Sequence, residues 1–503
     1  MHVIIQAGGR GSRLRHHTWN KPKCLVSVRG KPVLYHIFDR FPQARFVIIG
    51  DYAFDVLAAY LEYNPPGVPF DLVKASGKGT VSGMAQALAL VPEAEPVVIT
   101  WSDLLIGEPP VLDPDEPLPV VGLGDDFMCR WSMSPEGVLE EVSRVENGIP
   151  GLFYLARRDA LPAPPTEGEF MKWFVKAAPR FAVQTWTGLE EVGDFVTVEA
   201  MNNSDGFTRF FNKVDMREDV VEKTASDPQF ATLIDREIGW YKTARELGFR
   251  RIPEVISERP FVMQRIKGRH AYQIDDLTAR EQRAVVADAI EALAGLHALG
   301  SAPWSDEDAR EVYLDKTVNR VNSVRALIPM IDKDSITVNG LKCRNPFAAR
   351  HEGLLEKLCA GLQSSQFRPI HGDPTFSNTL VDRNLRSWFI DPRGYFAKPG
   401  IYGDPLYDFA KVYYSAAGGY DSFNRRQFKL HVDDDTVEIL MERPPLAEAA
   451  QAVFPEYLGA SVKDIEAIHG LIWLSLSGYV RDDVDSVIAA FFLGLFWLES
   501  AAA

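Results

Sequence analysis

Cysteine is scarce in this sequence, which has four cysteines among 503 residues. They are Cys24, Cys129, Cys343 and Cys359. They lie far apart and none forms a Cys-x-x-Cys pair, which excludes the common zinc motifs and a disulfide framework. The sequence therefore predicts four reduced thiols, as is typical of a cytoplasmic protein.

Positively charged residues are also outnumbered: the sequence has 54 lysines and arginines but 69 aspartates and glutamates, which gives a net charge of -15. Proteins that bind nucleic acid or anionic membranes through charge alone need a basic face. We therefore expect no nucleic-acid partner, although this charge is compatible with local basic pockets for phosphate groups.

Long hydrophobic runs are missing as well. The most apolar stretch, residues 487–498, is shorter than the roughly 20 residues that a membrane-spanning helix needs. It predicts a buried helix and no membrane insertion. The short apolar run at residues 1–5 has no basic segment before it, so it does not have the pattern of a signal peptide.

The first third of the chain alternates short apolar runs with helical patterns. The runs predict strands at residues 3–5, 46–49 and 97–100, and the helical patterns lie at residues 33–41, 53–63 and 83–90. Such alternation predicts an α/β domain with a mostly parallel sheet. Ligands bind such sheets at the carboxyl ends of the strands.

The pattern changes after residue 200. Strands are predicted at residues 209–214, 220–224 and 261–264, with a helix at 231–247 and mostly helices from 278 onward, interrupted by one strand-turn-strand at 369–392. This order predicts an α+β domain with a small β-rich lobe (about 203–266) and a large helical lobe (about 267–503). The polar cluster at 200–206 predicts a short linker, so the domains are expected at 1–202 and 203–503.

A glycine loop follows the first predicted strand. Gly8, Gly9 and Gly11 allow the backbone to approach a phosphate chain closely, while Arg10 and Arg13 add positive charge. Such a loop alone is also typical of a tight turn. Here Lys21-Pro22-Lys23 and Gly30-Lys31-Pro32 follow within one strand-loop-helix unit, and the combination predicts a nucleoside triphosphate site.

These segments resemble the sugar-phosphate nucleotidyltransferase family, including the related phosphocholine cytidylyltransferases. The resemblance implies that the loop and its arginines hold the triphosphate and that Lys23 contacts the phosphate of the second substrate. It also implies a base-binding stretch, for which Gly79, Thr80 and Gly83 are the matching residues.

The same resemblance implies a magnesium ligand after a later strand, which is Asp103, and a second one near the end of the domain, for which Asp194 is the candidate. Taken alone, Asp103 is equally typical of a turn or a helix cap. The chemistry needs such a set, because an anionic phosphomonoester attacks an anionic α-phosphate, and Mg²⁺ and a lysine offset the repulsion.

The sharpest motif is His371-Gly372-Asp373, followed by Asn378 and, after a short strand, by Asp391. A His-Gly-Asp triplet alone is frequently only a turn. This order and spacing match a phosphotransferase, in which Asp373 accepts the proton of a substrate hydroxyl while Asn378 and Asp391 bind Mg²⁺ on ATP.

HGDxxxxN, IDPR and the later GDPxxDxAK resemble the aminoglycoside phosphotransferase and choline kinase family, which has the protein-kinase fold. The resemblance implies that Lys223 holds the ATP phosphates, that Glu237 pairs with it, and that residues 261–266 meet the adenine. It implies bracing roles for His371 and Asp408. One departure is the segment 203–213, which contains a single glycine where protein kinases have a glycine-rich loop.

Together the motifs predict a bifunctional enzyme. One site phosphorylates a small alcohol or sugar with ATP, and the other transfers a nucleotidyl group from an NTP, with CTP favoured, to give an activated head group for capsular or other surface polysaccharide or for lipid. The alternatives are one active domain with a regulatory partner, or a nucleotide-sensing scaffold. Lys172 and Lys176 could contact a phosphate, but the solvated face of a helix is favoured. The oligomeric state is undetermined.

Overall fold

The computed structural model describes residues 1–204, 212–225 and 231–502. The chain divides into two compact units, Met1–Asp205 with Arg481–Asp485, and Gly206–Val480 with Ser486–Ala503. The glycine-poor segment 203–213 and the predicted strand at 209–214 lie partly outside the described residues.

The first unit contains thirteen strands and five α-helices. The strands are β1 (His2–Gln6), β2 (Ser27–Val28), β3 (Lys31–Pro32), β4 (Arg45–Gly50), β5 (Phe70–Lys74), β6 (Val97–Trp101), β7 (Leu104–Leu105), β8 (Val120–Leu123), β9 (Ser132–Met133), β10 (Leu139–Glu140), β11 (Leu152–Leu155), β12 (Ala182–Thr185) and β13 (Glu190–Glu191). The helices are α1 (Val33–Arg40), α2 (Phe54–Tyr63), α3 (Met84–Ala89), α4 (Phe170–Ala177) and α5 (Phe195–Ser204).

Seven of these strands form one sheet in the order β12-β8-β11-β6-β1-β4-β5. Only β11 runs antiparallel to its neighbours, so the sheet is mostly parallel, as predicted. Gln6, the last residue of β1, pairs with Ile49 of β4 and Trp101 of β6. The loops that follow these three strands therefore leave the sheet at the same edge.

The predicted linker at residues 200–206 is wrong for its first five residues, because α5 continues to Ser204. The polar side chain of Asn202 has tertiary partners that a turn would not supply. Its amide nitrogen donates to the Ser27 carbonyl at 3.1 Å, and its oxygen accepts from the Arg29 amide at 3.0 Å. Packing of the helix against the strand β2 outweighs the turn propensity of the local sequence.

The segment Arg481–Asp485 belongs to the first unit although it lies near the end of the chain. The Lys21 ammonium is buried there, with its Nζ atom 2.7 Å from Asp483 Oδ1 and in contact with Asp485 as well. Burial lowers the pKa of Lys21, but the two carboxylates outweigh burial and the net shift is upward. Lys21 is therefore a charged structural residue held by two aspartates.

The second unit is α+β. Its strands are β14 (Asn212–Met216), β15 (Val220–Ala225), β16 (Val255–Glu258), β17 (Phe261–Gln264), β18 (Arg269–His270), β19 (Ala302–Pro303), β20 (Ser335–Val338), β21 (Leu341–Arg344), β22 (Gln366–Pro369), β23 (Thr379–Val381), β24 (Ser387–Phe389), β25 (Tyr402–Gly403), β26 (Phe428–Val432) and β27 (Thr436–Met441). Its helices are α6 (Ala231–Glu246), α7 (Ala279–His297), α8 (Asp306–Arg310), α9 (Lys316–Ser323), α10 (Leu354–Gly361), α11 (Pro405–Ala416), α12 (Tyr420–Asn424), α13 (Ala447–Leu458), α14 (Val462–Ser477) and α15 (Val484–Ala502).

The β-rich lobe is an antiparallel sheet in the order β14-β15-β17-β16, with α6 packed on it. In the helical lobe α11 packs against α14 and α7. The predicted magnesium ligands flank the hairpin β23–β24, with Asn378 directly before β23 and Asp391 two residues after β24. This arrangement matches the predicted division into a β-rich and a helical part.

A second four-stranded sheet, in the order β21-β20-β27-β26, is an element that the helical pattern of this region did not predict. Its first hairpin turns at Asn339 and Gly340, which have φ angles of 46° and 82°. Asn-Gly is the preferred pair for such a turn, because both positions need a left-handed backbone. That dipeptide was the sequence signal for the missed hairpin.

Helix α15 is longer than the apolar stretch 487–498 that predicted it. Its 19 residues are long and apolar enough for a membrane crossing by length and composition, which corrects the prediction that no segment reaches that length. In this structure 72% of its most apolar window is buried inside the protein, as in the core helix that the sequence predicted.

Candidate active sites

The glycine loop after β1 is tightly packed at two of its three glycines, Gly8 and Gly11. Gly11 has a φ angle of +67°, and a Cβ atom there would lie 3.1 Å from the side chains of Leu14 and Lys23. A Cβ on Gly8 would lie 2.9 Å from the Cβ of Asp51. Close packing therefore requires glycine at positions 8 and 11, whereas a Cβ atom on Gly9 would have no neighbour within 4 Å.

The arginines of this loop are exposed. The Arg10 guanidinium lies over the Tyr52 ring, 5.2 Å from its centroid, and Arg13 reaches Glu191 at 3.3 Å. Both side chains stay near the loop whose amides are predicted to hold a triphosphate, where positive charge is most useful.

Lys23 and Asp103, which the sequence separates by 80 residues, lie in direct contact. The Lys23 Nζ atom is 2.6 Å from Asp103 Oδ2, and the Lys23 amide donates to the Gly9 carbonyl at 3.4 Å. Asp103 follows β6 and the glycine loop follows β1, so the common sheet edge brings them together. The structure therefore gathers the predicted loop, lysine and magnesium ligand at one place.

The second carboxylate beside Asp103 is Glu191, which the sequence analysis did not select. Glu191 pairs with Leu104 between β13 and β7, and the Val192 amide donates to the Asp103 carbonyl at 2.7 Å. Burial and the neighbouring Asp103 charge raise the pKa of Glu191. In the sequence, the adjacent acidic residues Glu190 and Glu191 were the feature that could have indicated a carboxylate ligand here.

Asp194 lies three residues further along, at the start of α5. Its Oδ1 atom accepts the Thr197 amide at 2.9 Å, which is a helix-capping bond and lowers the pKa of Asp194. One carboxylate oxygen is therefore used by the backbone. The role of Asp194 as a magnesium ligand stays a prediction.

The predicted base-binding stretch is a tightly packed loop before α3. Gly79 and Gly83 have φ angles of +89° and +80°, and Cβ atoms there would lie 2.4 Å from the Gly168 carbonyl oxygen and 2.6 Å from Ile49. The Thr80 hydroxyl accepts the Phe170 amide at 2.8 Å. The Gln6 amide, at the end of β1, donates to the Thr80 carbonyl, which ties this loop to the glycine loop.

Lys172 and Lys176 are exposed on α4, and Lys172 pairs with Glu169 at 3.2 Å. Their positions agree with the solvated helix face that the sequence analysis favoured.

The oxygen donors of the first unit fit Mg²⁺. Asp103 and Glu191 provide hard carboxylate ligands, and nucleotide phosphates would complete the coordination. Over residues 1–204, 212–225 and 231–502, no group of three or more His, Cys, Asp or Glu side chains is arranged to hold a metal ion without such phosphates.

In the second unit, Lys223 lies between Glu237 and Asp391. Its Nζ atom is 2.7 Å from Glu237 Oε1 and contacts Asp391 Oδ1. Burial lowers the pKa of Lys223, but both carboxylates outweigh burial and raise it overall. The predicted lysine–glutamate pair is therefore present, fully charged, beside a predicted magnesium ligand.

Asp373 is held by two side chains. The Asn378 Nδ2 atom donates to the Asp373 carbonyl at 2.9 Å and to its Oδ2 at 3.1 Å, while Lys411 Nζ lies 3.0 Å from Oδ1. Lys411, on α11, is the last residue of the motif GDPxxDxAK, and the sequence alone does not assign it to the site. Its position shows that the motif GDPxxDxAK carries a cation to the predicted base.

Asp408 braces the loop that carries Asp373, as the resemblance implied. Its carboxylate accepts the amides of His371 and Gly372 at 2.8 and 2.7 Å, and contacts His297 Nε2 at 3.0 Å. His371 Nδ1 accepts the Asp373 amide at 3.3 Å, and burial lowers the pKa of His371. A neutral, engaged imidazole suits bracing rather than proton transfer.

Asn378 and Asp391 are oxygen ligands of the kind that Mg²⁺ prefers, so the residues present fit a metal–ATP complex. Asp391 has a φ angle of +58°, which is uncommon outside glycine and is tolerated best by Asn and Asp. Backbone of this kind is concentrated at functional sites.

Family comparison gives two matches. Residues 3–113 match the model described as MobA-like NTP transferase domain, and residues 202–435 match the model described as phosphotransferase enzyme family. The matches confirm the predicted nucleotidyltransferase and phosphotransferase domains and support a bifunctional transferase and kinase. With the sheet orders above, they also confirm the predicted fold classes.

Individual relatives cover smaller parts. The UTP–glucose-1-phosphate uridylyltransferase AglF of Haloferax volcanii is 31% identical over 96 residues, 18% of this chain and 38% of that protein. The bifunctional protein GlmU of Burkholderia orbicola is 33% identical over 108 residues, 21% of this chain and 22% of that protein. The chain thus spans less than half the length of either relative. The solved structure of HddC from Yersinia pseudotuberculosis, complexed with GMP-PN, aligns at 19% identity over 40% of this chain and 98% of its own, with a TM-score of 0.33.

Proposed function

We propose that this chain, which joins a nucleotidyltransferase domain to a phosphotransferase domain, activates one small molecule in two steps. A hydroxyl of an alcohol or sugar first takes the γ-phosphoryl group of ATP. The resulting phosphomonoester then attacks the α-phosphate of an NTP and releases pyrophosphate. The product is a nucleoside diphosphate derivative of a head group for capsular or other surface polysaccharide, or for lipid.

The observation that supports the proposal is that, in each unit, charged side chains assigned to its reaction by sequence motifs lie in contact. Lys23 contacts Asp103 in the first unit, while Lys223, Glu237 and Asp391 are connected in the second. The phosphomonoester made by one reaction class is the acceptor of the other, which is the reason for joining the two steps in one proposal.

In the kinase step, Asp373 accepts the proton of the acceptor hydroxyl as its oxygen bonds to the γ-phosphorus. Asn378 holds the Asp373 carboxylate in place at 3.1 Å. Lys223, fixed by Glu237, would contact the ATP phosphates. Asn378 and Asp391 would hold Mg²⁺, which would supply charge compensation for the transferred group.

In the transferase step, the phosphomonoester is already an anion and needs no base. The Lys23 ammonium would hold its phosphate against the α-phosphate, while the amides of Gly8, Gly9 and Gly11 would hold the leaving pyrophosphate. Asp103 would hold Mg²⁺, which would supply the remaining positive charge. We place the NTP base beside Gly79, Thr80 and Gly83.

CTP is the favoured nucleotide, because the glycine loop and the Lys23 segment resemble those of phosphocholine cytidylyltransferases. UTP is the first alternative nucleotide, because the relative AglF is a UTP–glucose-1-phosphate uridylyltransferase. We place both reactions in the cytoplasm, consistent with four cysteines that are all free in the structure, and without nucleic-acid or membrane partners.

Two variants test the proposal. The full chain is incubated with ATP, Mg²⁺, a panel of alcohols and sugars, and each of the four NTPs, and products are identified by mass. Asp373→Asn should lower formation of the phosphorylated acceptor at least about 100-fold, because the general base is lost. Adding the phosphorylated acceptor should restore the final product.

Lys23→Ala should instead let the phosphorylated acceptor accumulate, with nucleotidyl transfer lowered about 100-fold. If either variant leaves the complete two-step reaction unchanged, the coupling is wrong and a single active domain with a regulatory partner is favoured. Absence of pyrophosphate release across the whole panel would favour a nucleotide-sensing scaffold.

A further inference from the structure

Several cations surround the Tyr407 ring in the second unit. Lys316, Arg393 and Lys411 lie 5.8, 5.9 and 5.9 Å from the centroid of this ring. They come from three separate elements, namely α9, the loop after Asp391, and α11. With Arg320, one turn after Lys316 on α9, they form what we call the Tyr407 cation cluster.

Arg320 interacts electrostatically with the other cations of this cluster. Burial and the neighbouring Arg393 charge lower the pKa of Arg320. Its guanidinium lies over the Tyr479 ring at 5.2 Å and donates to the Ser475 hydroxyl at 3.1 Å. Arg320 therefore extends the positive field beyond Tyr407.

Little negative charge balances the cluster. Arg393 donates to the hydroxyls of Tyr407 and Tyr395, both at 2.8 Å, and Lys411 pairs with Asp373 at 3.0 Å. Within the described part of the chain, no carboxylate lies within 4.0 Å of Lys316, Arg320 or Arg393. The carboxylate in direct contact with the cluster is that of Asp373, the predicted base, while Glu311 is a more distant acidic neighbour of Lys316.

This imbalance is costly for the folded protein. Burial and the charges of Arg393, Arg320 and Lys411 lower the pKa of Lys316 far below its ordinary value. The chain as a whole has more acidic residues (69) than basic ones (54). The excess of positive charge in this cluster is therefore opposite in sign to the net charge of the protein. Charges that repel one another without neutralising partners are concentrated at functional sites.

The cluster lies on the side of the site where the acceptor must bind. Asp373 accepts the acceptor's proton, so the acceptor binds against Asp373, and Lys411 is already in contact with that carboxylate. The cation assigned to the ATP phosphates, Lys223, is a different residue held by Glu237 and Asp391. Lys411 is close enough to Asp373 to contact the transferred phosphoryl group. Lys316 and Arg320 on α9 have no role in that transfer and can bind a different anion.

We propose that the acceptor of the kinase site carries an anionic group, a carboxylate or a phosphate, in addition to the hydroxyl that is phosphorylated, and that Lys316 and Arg320 bind it. This rests on the proposed function, which assigns Asp373 as the base. The hydroxyl oxygen bonds to the γ-phosphorus of ATP, the bond from that phosphorus to ADP breaks, and the hydroxyl proton passes to Asp373. The acceptor class is a hydroxy acid, sugar acid or polyol phosphate, and cationic amino alcohols such as choline are excluded.

The test uses the full chain with Mg-ATP and matched acceptor pairs, in which only the anionic group differs. The pairs are glycerate and glycerol, glucuronate and glucose, gluconate and sorbitol, and glycerol 3-phosphate and glycerol, with choline and ethanolamine as cationic probes. Product is measured by mass, and binding by calorimetry without ATP. The anionic member of at least one pair should bind, and be phosphorylated, about 10- to 100-fold better than its neutral partner. The carboxylate and phosphate pairs distinguish the two sources of the anion.

Lys316→Met should raise the KM for the anionic acceptor about tenfold or more and leave the KM for ATP unchanged. The exposed Lys342→Met is the matched control and should change neither constant. Lys316→Met should also raise the Tm without ligand, because it removes repulsion within the cluster, so a loss of acceptor binding cannot be attributed to misfolding.

Three outcomes would overturn the inference. They are binding of a neutral or cationic member at least as tight as that of every anion, a Lys316→Met variant that raises the KM for ATP instead, and an unchanged acceptor KM in that variant. Failure of the proposed function is recognised separately. In that case Asp373→Asn would retain phosphoryl transfer, whatever the calorimetry shows about anion binding.

Discussion

Charged side chains from distant parts of the sequence meet at both candidate sites. The contacts of Lys23 with Asp103 and of Lys223 with Glu237 join residues that belong to motifs whose chemistry fixes the residue type. Their catalytic and binding roles stay predictions. Glu191 carries no motif of its own, and its place beside Asp103 depends on the pairing of two short strands. Sequence spacing does not contain that information.

Glu191 gives a prediction for the transferase. Glu191→Gln should raise the Mg²⁺ concentration needed for half-maximal nucleotidyl transfer about tenfold or more, because a neutral amide is a weaker ligand than a carboxylate beside Asp103. Magnesium titration of pyrophosphate release measures this.

The neighbouring Glu190→Gln is the matched control. The Glu190 carboxylate pairs with Arg29 at 2.7 Å on the surface, so its replacement should leave the magnesium titration unchanged. Equal effects of the two substitutions would contradict a metal-binding role for Glu191.

Among the elements, the strands of the parallel sheet and the helices between them were predictable, because buried apolar runs and turns mark them clearly. The errors arose where tertiary contacts or turn chemistry outweighed periodicity. Helix α5 continues through residues with turn propensity because Asn202 bonds to β2, and the hairpin β20–β21 was missed although Asn339 and Gly340 mark its turn. The tight loop before α3 likewise depends on neighbours that lie far away in the sequence.

Substitutions at Gly83 and Gly340 distinguish the cost of a strained backbone from the cost of a steric clash. Gly83→Ala places a Cβ atom 2.6 Å from Ile49 at a φ angle of +80°, so it should cost about 2 kcal/mol or more and raise the KM for the NTP. Gly340→Ala has a similar φ of +82° with open space around it, and should cost about 1 kcal/mol.

Denaturant unfolding and steady-state kinetics measure the two substitutions. Gly340→Ala should leave both activities unchanged. An unchanged KM for the NTP in Gly83→Ala would argue against a base-binding role for this loop.

At the scale of the whole molecule, two nucleotide sites in one chain predict separable stabilisation by ligands. A saturating nucleotide at 100 times its Kd stabilises the folded state that binds it by about 2.7 kcal/mol. Asp103→Asn should therefore abolish the thermal shift caused by Mg-CTP and retain the shift caused by Mg-ATP. Asp391→Asn should do the reverse.

Differential scanning calorimetry with each nucleotide measures these shifts. One substitution that removes both shifts would mean that both nucleotides use one site, and the division of labour between the units would then be wrong.

The buried Lys21 has a consequence for how the protein is made. Its two carboxylates come from the segment Arg481–Asp485, so the first unit is not continuous along the chain. During synthesis, residues 1–205 leave the ribosome long before Asp483 and Asp485 exist, and until then the ammonium of Lys21 has to remain in water or be buried without its anions. The unit whose translation begins first is therefore complete only after Gly206–Val480, most of the second unit, has also been translated.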